Sequence, residues 1–255
     1  MCNDDARWNK IKKTIATQNN DITELWMCGP KNRKIGLSNN ILNWRCQKTT
    51  PKQLGVNGNK VANTLQLIIN YNQDPEYVEP FTPLDKLADT HMFYPNKIKS
   101  NLHNWRKKTL EFYVDFETIN DMGDDWSGTI IFMIGIYYYD KSSKDVVFKN
   151  FCVDLISEVE EQRILNKFNQ YINQIMKKHK VTKSNVYHWG NIEKLLHTNA
   201  CRKYNITTQI NWCNLLTLFK NEPIVVRGSM NFGLKSISKA MYANNMIPEI
   251  WEESC

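Results

Sequence analysis

Two acidic residues on a predicted strand, Asp115 and Glu117, have the types and spacing that metal chemistry needs. Because side chains alternate between the two faces of a strand, both carboxylates point to the same face. Carboxylate oxygens are hard ligands of the kind that Mg²⁺ and Mn²⁺ prefer. Adjacent carboxylates can hold two such ions about 3.5–4 Å apart, as phosphodiester hydrolysis requires. A solvated pair of acids on an edge strand is the alternative.

A second polar group follows the short strand predicted over 186–189. Glu193 falls in the first turn of the next predicted helix, where its carboxylate can face the end of a neighbouring strand. An acid that only complements the positive end of the helix is the alternative. His188 is a candidate ligand of metal or phosphate, or else a histidine whose hydrogen bonds are made within the fold.

Two further candidates open predicted helices. Asn214 precedes the helix predicted over 215–220, where it is either a metal ligand or an ordinary N-cap. Lys235 lies in the segment 233–237, which begins the last predicted helix within 229–242, and there it either contacts phosphate or stays solvated.

The elements that must position these residues follow the order β-β-β-α-β-α-β-α. Strands are predicted over 111–117, 129–139 and 145–153, and the short turns between them indicate antiparallel pairing. A long amphipathic helix is predicted over 158–178, followed by short strands that are joined through crossover helices. This order is typical of a ribonuclease-H-like α/β fold with a mixed sheet, in which parallel strands follow three antiparallel ones.

The region before the first strand differs in composition and charge. Of the 33 basic and 26 acidic residues, 17 and 9 lie before Glu111, so this part carries a net charge of +8 and the remainder −1. We predict a small, basic, helical region over 1–73, a proline-containing basic linker over 74–108, and the ribonuclease-H-like domain over 109–255. The expected partner of a basic region is nucleic acid, and a solvated lysine-rich surface is the alternative.

Composition narrows the class of protein. The chain has 255 residues, 42% of them hydrophobic and 23% charged, which is typical of a globular protein. It contains no apolar run long enough for a membrane-spanning helix, and its first residues do not resemble a signal peptide. Its seven cysteines are scattered without a C-x-x-C pair, which argues against structural zinc and fits a reducing compartment. We therefore expect an intracellular protein, cytoplasmic or nuclear, with no membrane partner, and leave a viral origin open. The Asn-rich and Lys-rich composition is typical of an AT-rich genome.

The motifs in their order resemble a known family. Segments 112–118, 186–189 with Glu193, 214–215 and 232–237 resemble the YprB-type ribonuclease-H-like domain of RecB-family predicted nucleases, which belongs with the DEDD (DnaQ-like) exonucleases. The resemblance covers about residues 105–255. Segment 22–70 also resembles the small helical region that precedes this domain in those proteins.

The resemblance implies a 3′–5′ exonuclease that hydrolyses DNA or RNA with two Mg²⁺ or Mn²⁺ ions, in a process such as DNA repair. Asp115, Glu117 and Glu193 would be its catalytic metal ligands, with Asn214 as a further ligand. His188 and Lys235 would contact the substrate.

The sequence departs from the family pattern at two places. Asn214 stands where the family has Asp, and no final acidic segment follows Glu252 and Glu253, so a C-terminally truncated domain is expected. The flanking RecB-like nuclease domain is also absent from the sequence and would be a protein partner. The alternative function is therefore a catalytically impaired protein of the same fold that binds nucleic acid or a partner protein.

Overall fold

The computed structural model describes residues 6–77, 92–93, 105, 108–120 and 128–249. By its internal contacts the chain forms two compact units, Met1–Ser100 with Leu218–Cys255, and Asn101–Thr217. We call the first the helical unit and the second the sheet unit. This grouping by contacts differs from the division by composition, and the predicted domain boundaries stay a prediction.

The described residues form both helices and strands, numbered in chain order. The α-helices are α1 (Ala6–Gln18), α2 (Pro30–Ser38), α3 (Asn59–Gln73), α4 (Glu158–Lys178), α5 (Ile192–Lys203), α6 (Leu215–Asn221) and α7 (Leu234–Ala243), with a 3₁₀ helix at Ile22–Glu24. The strands are β1 (Met92–Phe93), β2 (Glu111–Asn120), β3 (Thr129–Asp140), β4 (Asp145–Cys152), β5 (Asn185–His188), β6 (Trp212–Asn214) and β7 (Val225–Val226).

The helical unit is joined by contacts between residues far apart in the chain. Strand β1 pairs antiparallel with β7. The side chain of Arg227, next to β7, donates hydrogen bonds to the carbonyl oxygens of Tyr71 at 2.6 Å and Tyr77 at 3.0 Å. These links explain why the segment after Leu218 groups with the N-terminal residues.

The sheet unit contains a five-stranded mixed sheet in the order β4-β3-β2-β5-β6. Strand β2 pairs antiparallel with β3, and β3 pairs antiparallel with β4. Strand β5 runs parallel to both of its neighbours, β2 and β6. The predicted α/β class and mixed sheet are therefore confirmed.

One face of this sheet is covered by helix α4. Phe112, Val114 and Phe116 of β2 are buried on this face, and the fully buried Phe168 of α4 makes an edge contact with Phe116 at 5.8 Å between ring centroids. Helix α4 begins where Ser157 accepts a hydrogen bond from the backbone N–H of Glu160. The alternation along β2 leaves its remaining side chains on the opposite face, which we call the open face.

A buried carboxylate links the covered elements. Glu161 of α4 accepts a hydrogen bond at 2.8 Å from the backbone N–H of Ile131, and another from the hydroxyl of Tyr204. These partners satisfy an acid that would otherwise be costly to bury. None of the helices in the described part of the chain has the length and hydropathy that crossing a bilayer would require.

Candidate functional site

The two acids of β2 lie on the open face near the point where β5 ends. Tyr113 pairs with Tyr187, and β5 ends one residue later at His188, whereas β2 continues through Asp115 and Glu117. Both acidic side chains are exposed. Because β2 and β5 run parallel, the acids lie at the carboxyl edge of this pair, where α/β sheets bind their ligands.

The electrostatics of Asp115 depend on neighbouring acids from two elements of the fold. Its pKa is raised, first by partial loss of water around the carboxylate and then by the negative charges of Glu117 and Glu193. A hydrogen bond at 3.1 Å from the backbone N–H of Phe116 to Asp115 Oδ1 opposes this shift. The structure thus brings the charge of Glu193 into the field of Asp115, although 78 positions separate the two residues.

Glu193 is held by His188. His188 Nδ1 lies 3.1 Å from Glu193 Oε2, and their side chains are only 1% and 12% exposed. The imidazole also makes an edge contact with the ring of Trp212 at 5.4 Å between centroids. Because His188 is enclosed, its contact in this structure is with the carboxylate of Glu193, and its predicted contact with substrate stays a prediction.

One atom of His188 is unusual. Its Nε2 is buried and, within the described residues, has no hydrogen-bond partner. Because a carboxylate only accepts hydrogen bonds, Nδ1 is the donor in the contact with Glu193, and this bond fixes the direction in which the carboxylate is held.

The loop after β5 brings Asn214 to the same edge. Gly190 has a φ of +129°, a conformation that side-chain-bearing residues rarely adopt. Its N–H donates to Asn214 Oδ1 at 3.3 Å, and the N–H of Thr217 donates to the same oxygen at 3.2 Å. The Asn214 amide nitrogen donates to Asn191 Oδ1 at 2.6 Å. Asn214 therefore acts as a cap of α6 and a tie to the β5–α5 loop, and its role as a metal ligand stays a prediction.

Lys235, the remaining candidate, belongs to the helical unit. It lies in the first turn of α7 with an exposed side chain, and it lines a groove of basic residues in that unit. Its predicted contact with substrate stays a prediction.

A row of aromatic residues lies next to the acids, and the sequence motifs did not identify it. Tyr113 stacks on Tyr187 at 5.3 Å and lies 5.0 Å from the ring of its β3 partner, Tyr137. Burial, followed by the charge of Glu111, raises the pKa of Tyr113 to about 12. The alternation that identifies Asp115 places Tyr113 on the same face, so this row could have been found from the same pattern.

The donor set fits a divalent cation in its chemistry. Asp115 and Glu117 offer hard oxygens, and a cation between them would relieve the repulsion that raises the pKa of Asp115. Across the described residues, no group of three or more His, Cys, Asp or Glu side chains is placed to hold a metal ion together. The two acids of β2 are therefore a pair of hard-oxygen donors, and the charge of Glu193 acts on Asp115. Their role as metal ligands stays a prediction.

Comparisons with known proteins do not add a family to this picture. No protein-family model matches the chain, and no curated protein is significantly similar to it. A functional assignment therefore depends on the site and on the motifs that it contains.

Proposed function

We propose that the chain is a divalent-metal-dependent nuclease with a ribonuclease-H-like fold, which hydrolyses phosphodiester bonds of DNA or RNA. The observation that carries this proposal is the position of Asp115 and Glu117 on one face of β2, at the carboxyl edge of parallel strands, where the charge of Glu193 also helps to raise the pKa of Asp115. Clustered carboxylates repel one another, so their concentration at a ligand-binding edge favours a cationic cofactor.

The order of the strands supports the fold assignment. Three antiparallel strands, followed by two parallel ones on the other side of β2, match the arrangement implied by the resemblance to DEDD exonucleases. In that resemblance the first acidic motif lies on the central strand, which is the position of Asp115 and Glu117 in this chain.

In the proposed reaction, Asp115 and Glu117 would hold Mg²⁺ or Mn²⁺, and Glu193 would add negative charge from the start of α5. When bound, such an ion would supply an activated water and stabilise the leaving oxygen. His188 keeps the carboxylate of Glu193 in place, while the contact with Trp212 restricts the imidazole. In the same proposal, hydrolysis proceeds from the 3′ end.

A second candidate function is nucleic-acid binding without hydrolysis. It is favoured by Asn214, whose oxygen and nitrogen are both engaged within the fold, so that a neutral cap occupies the position of a family acid. In this case the acids of β2 would remain, but the shell would be too incomplete for catalysis.

Calorimetric titration with Mn²⁺ and cleavage of 5′-labelled single-stranded DNA and RNA, on the same samples, test the proposal. The parent chain is compared with Asp115→Ala and with a matched control, Asp145→Ala, which removes an exposed acid at the start of β4. We expect metal binding and cleavage in the parent and the control, and loss of both in Asp115→Ala. Progressively shortened products would indicate attack from the 3′ end, and internal fragments would indicate an endonuclease.

Two results would contradict the nuclease. One is a parent chain that binds no Mn²⁺, and the other is cleavage that survives unchanged in Asp115→Ala. A parent chain that binds oligonucleotide and Mn²⁺ but cleaves neither the DNA nor the RNA would favour nucleic-acid binding without hydrolysis.

A further inference from the structure

The helical unit contains a groove of about 960 Å³ with an excess of positive charge. Among the described residues, six basic side chains line it, and the single acid in the lining is Glu24. The basic residues come from segments that are far apart in the chain: Lys12, Lys13, Arg45, Arg227, Lys235 and Lys239. A concave surface lined by one sign of charge focuses the electrostatic potential and attracts a ligand of the opposite sign.

The one acid of the groove is already engaged. Glu24 Oε1 accepts a hydrogen bond at 2.7 Å from the hydroxyl of Thr17, and Glu24 Oε2 accepts one at 3.1 Å from the indole N–H of Trp44. The carboxylate thus joins two segments of the groove wall. It offsets one of the six positive charges, and the excess remains.

Two of the cations are held in place by the protein. Arg45 lies over the ring of Trp44, at 4.8 Å from the guanidinium carbon to the ring centroid, and its Nε donates to Asn20 Oδ1 at 2.9 Å. Arg227 is fixed by its hydrogen bonds to backbone carbonyls and lies over the ring of Tyr71 at 5.4 Å. Charges that are positioned before binding lose less conformational freedom when a ligand arrives.

The kind of side chain in the groove indicates which part of a ligand it contacts. Its aromatic residues Trp44 and Tyr71 are each only 2% exposed, so they offer no ring face on which a base could stack. The accessible groups are ammonium and guanidinium ions, which bind phosphate oxygens without regard to base sequence.

A membrane surface is the other phosphate-rich partner, and the lining argues against it. An interfacial site needs large apolar side chains that enter the lipid. Among the described residues, none of the exposed large apolar side chains lines this groove.

We propose that this groove binds the phosphate backbone of a nucleic-acid strand, independently of base sequence. The inference deepens the proposed function, since it takes nucleic acid as the substrate class, but it requires neither metal nor cleavage. It assigns substrate binding to the helical unit and the chemistry to the acids of the sheet unit.

Fluorescence anisotropy with a labelled mixed-sequence single-stranded DNA, in EDTA, measures this binding without hydrolysis. The groove variant is Lys12→Glu/Lys13→Glu on α1, and the matched control is Lys31→Glu/Lys34→Glu, two exposed lysines of α2 outside the groove. Each double variant changes the net charge equally. We expect the groove variant to lose roughly tenfold or more in affinity, and the slope of log K against log salt to fall by about 1.4 if two phosphate contacts are lost.

Further outcomes decide the inference. A parent chain that cleaves nothing but binds the oligonucleotide in EDTA through Lys12 and Lys13 would separate a failure of the nuclease from a failure of the groove. Equal losses in the groove and control variants, or an unchanged salt slope, would overturn the proposal. So would binding to phosphatidylserine-containing vesicles that depends on Lys12 and Lys13 while oligonucleotide binding does not. Circular dichroism confirms that the variants remain folded.

Discussion

The two faces of strand β2 carry residues of opposite kinds. On the covered face, Phe112 and Phe116 are 0% and 8% exposed and pack in the core beneath α4. On the open face, Tyr113, Asp115 and Glu117 are exposed to solvent. One strand therefore contributes alternately to stability and to the candidate site, because successive side chains point in opposite directions.

The difference extends to how each face treats ionisable groups. Behind Phe116, the ring of His197 is 1% exposed and lies 5.1 Å from Trp212, and burial lowers its pKa to about 4. On the open face, partial desolvation and the charges of two acids raise the pKa of Asp115. Both shifts disfavour charge, but the raised pKa of Asp115 comes partly from like charges, whose repulsion a bound cation would relieve.

The largest expected effect is on the covered face. Phe112→Ala should lower the free energy of unfolding by about 3–5 kcal/mol, since it empties a fully buried site. Tyr113→Ala, one residue away, should cost roughly 1–2 kcal/mol through loss of its ring contacts. Urea unfolding measures the loss of unfolding free energy in each variant. Equal losses would show that the open face is as much a part of the core as the covered face.

A second effect concerns acid stability. The unfolded chain protonates His197 near its ordinary pKa of 6.5, whereas the folded protein resists protonation down to about 4. Stability from this residue is therefore unchanged above pH 6.5 and falls as the pH drops toward 4, by up to about 3 kcal/mol. His197→Gln keeps a donor for Asn169 Oδ1, 3.0 Å away in the parent, and removes the titration.

Urea unfolding of the parent and His197→Gln at several pH values between 7 and 4 checks this effect. The difference in unfolding free energy between the two proteins should narrow, or reverse in favour of the variant, as the pH falls. A difference that stays constant over this interval would mean that His197 titrates alike in the folded and unfolded states.

Long, strongly periodic elements could be predicted from the sequence. Helix α4 has the predicted bounds because its apolar stripe, including Ile164, Phe168 and Ile172, repeats at helical spacing after the cap at Ser157. Strands of two residues were beyond this kind of argument. Strands β1 and β7 have two residues each, too few to show any period, and they pair only because the chain returns to the helical unit.

Proline illustrates how local chemistry misleads without tertiary context. A Gly-Pro pair is a common signal for the end of a helix, yet Pro30, which follows Gly29, is the first residue of α2. Proline is tolerated at that position because the first turn of a helix needs no hydrogen bond from its N–H. The element before it, Ile22–Glu24, is a 3₁₀ helix.

The candidate site also has one part that the sequence pattern predicts and another that depends on tertiary structure. The shared face of Asp115 and Glu117 follows from strand alternation alone. The contact of His188 with Glu193 and the engagement of Asn214 depend on the loop at Gly190, whose backbone conformation no periodic pattern encodes. The basic groove is assembled from positions as distant as Lys12 and Lys239, which only tertiary structure brings together.

The smallest expected effect is on the open face, and it changes sign with metal. Because the folded state raises the pKa of Asp115, its ionised carboxylate opposes folding at neutral pH when no metal is bound. Asp115→Asn should therefore raise the unfolding free energy slightly, by no more than roughly 0.5 kcal/mol at this exposed position. This gain should disappear as the pH falls through the raised pKa of Asp115 in the folded state toward its unfolded pKa of about 3.9. At that point the side chain at position 115 is uncharged in the parent as well as in the variant.

Thermal unfolding at pH 7 and pH 4, with and without Mn²⁺, separates the repulsion that acts on Asp115 from the effect of metal binding. Asp145→Asn is the control. Mn²⁺ should stabilise the parent and the control but not Asp115→Asn, because only a protein that binds the ion in its folded state gains from it. A variant less stable than the parent in EDTA would show that Asp115 makes a structural contact, such as its hydrogen bond from the N–H of Phe116, that outweighs its repulsion. Equal stabilisation of all three proteins by Mn²⁺ would place the ion elsewhere, and the two faces of β2 would then differ in exposure but not in function.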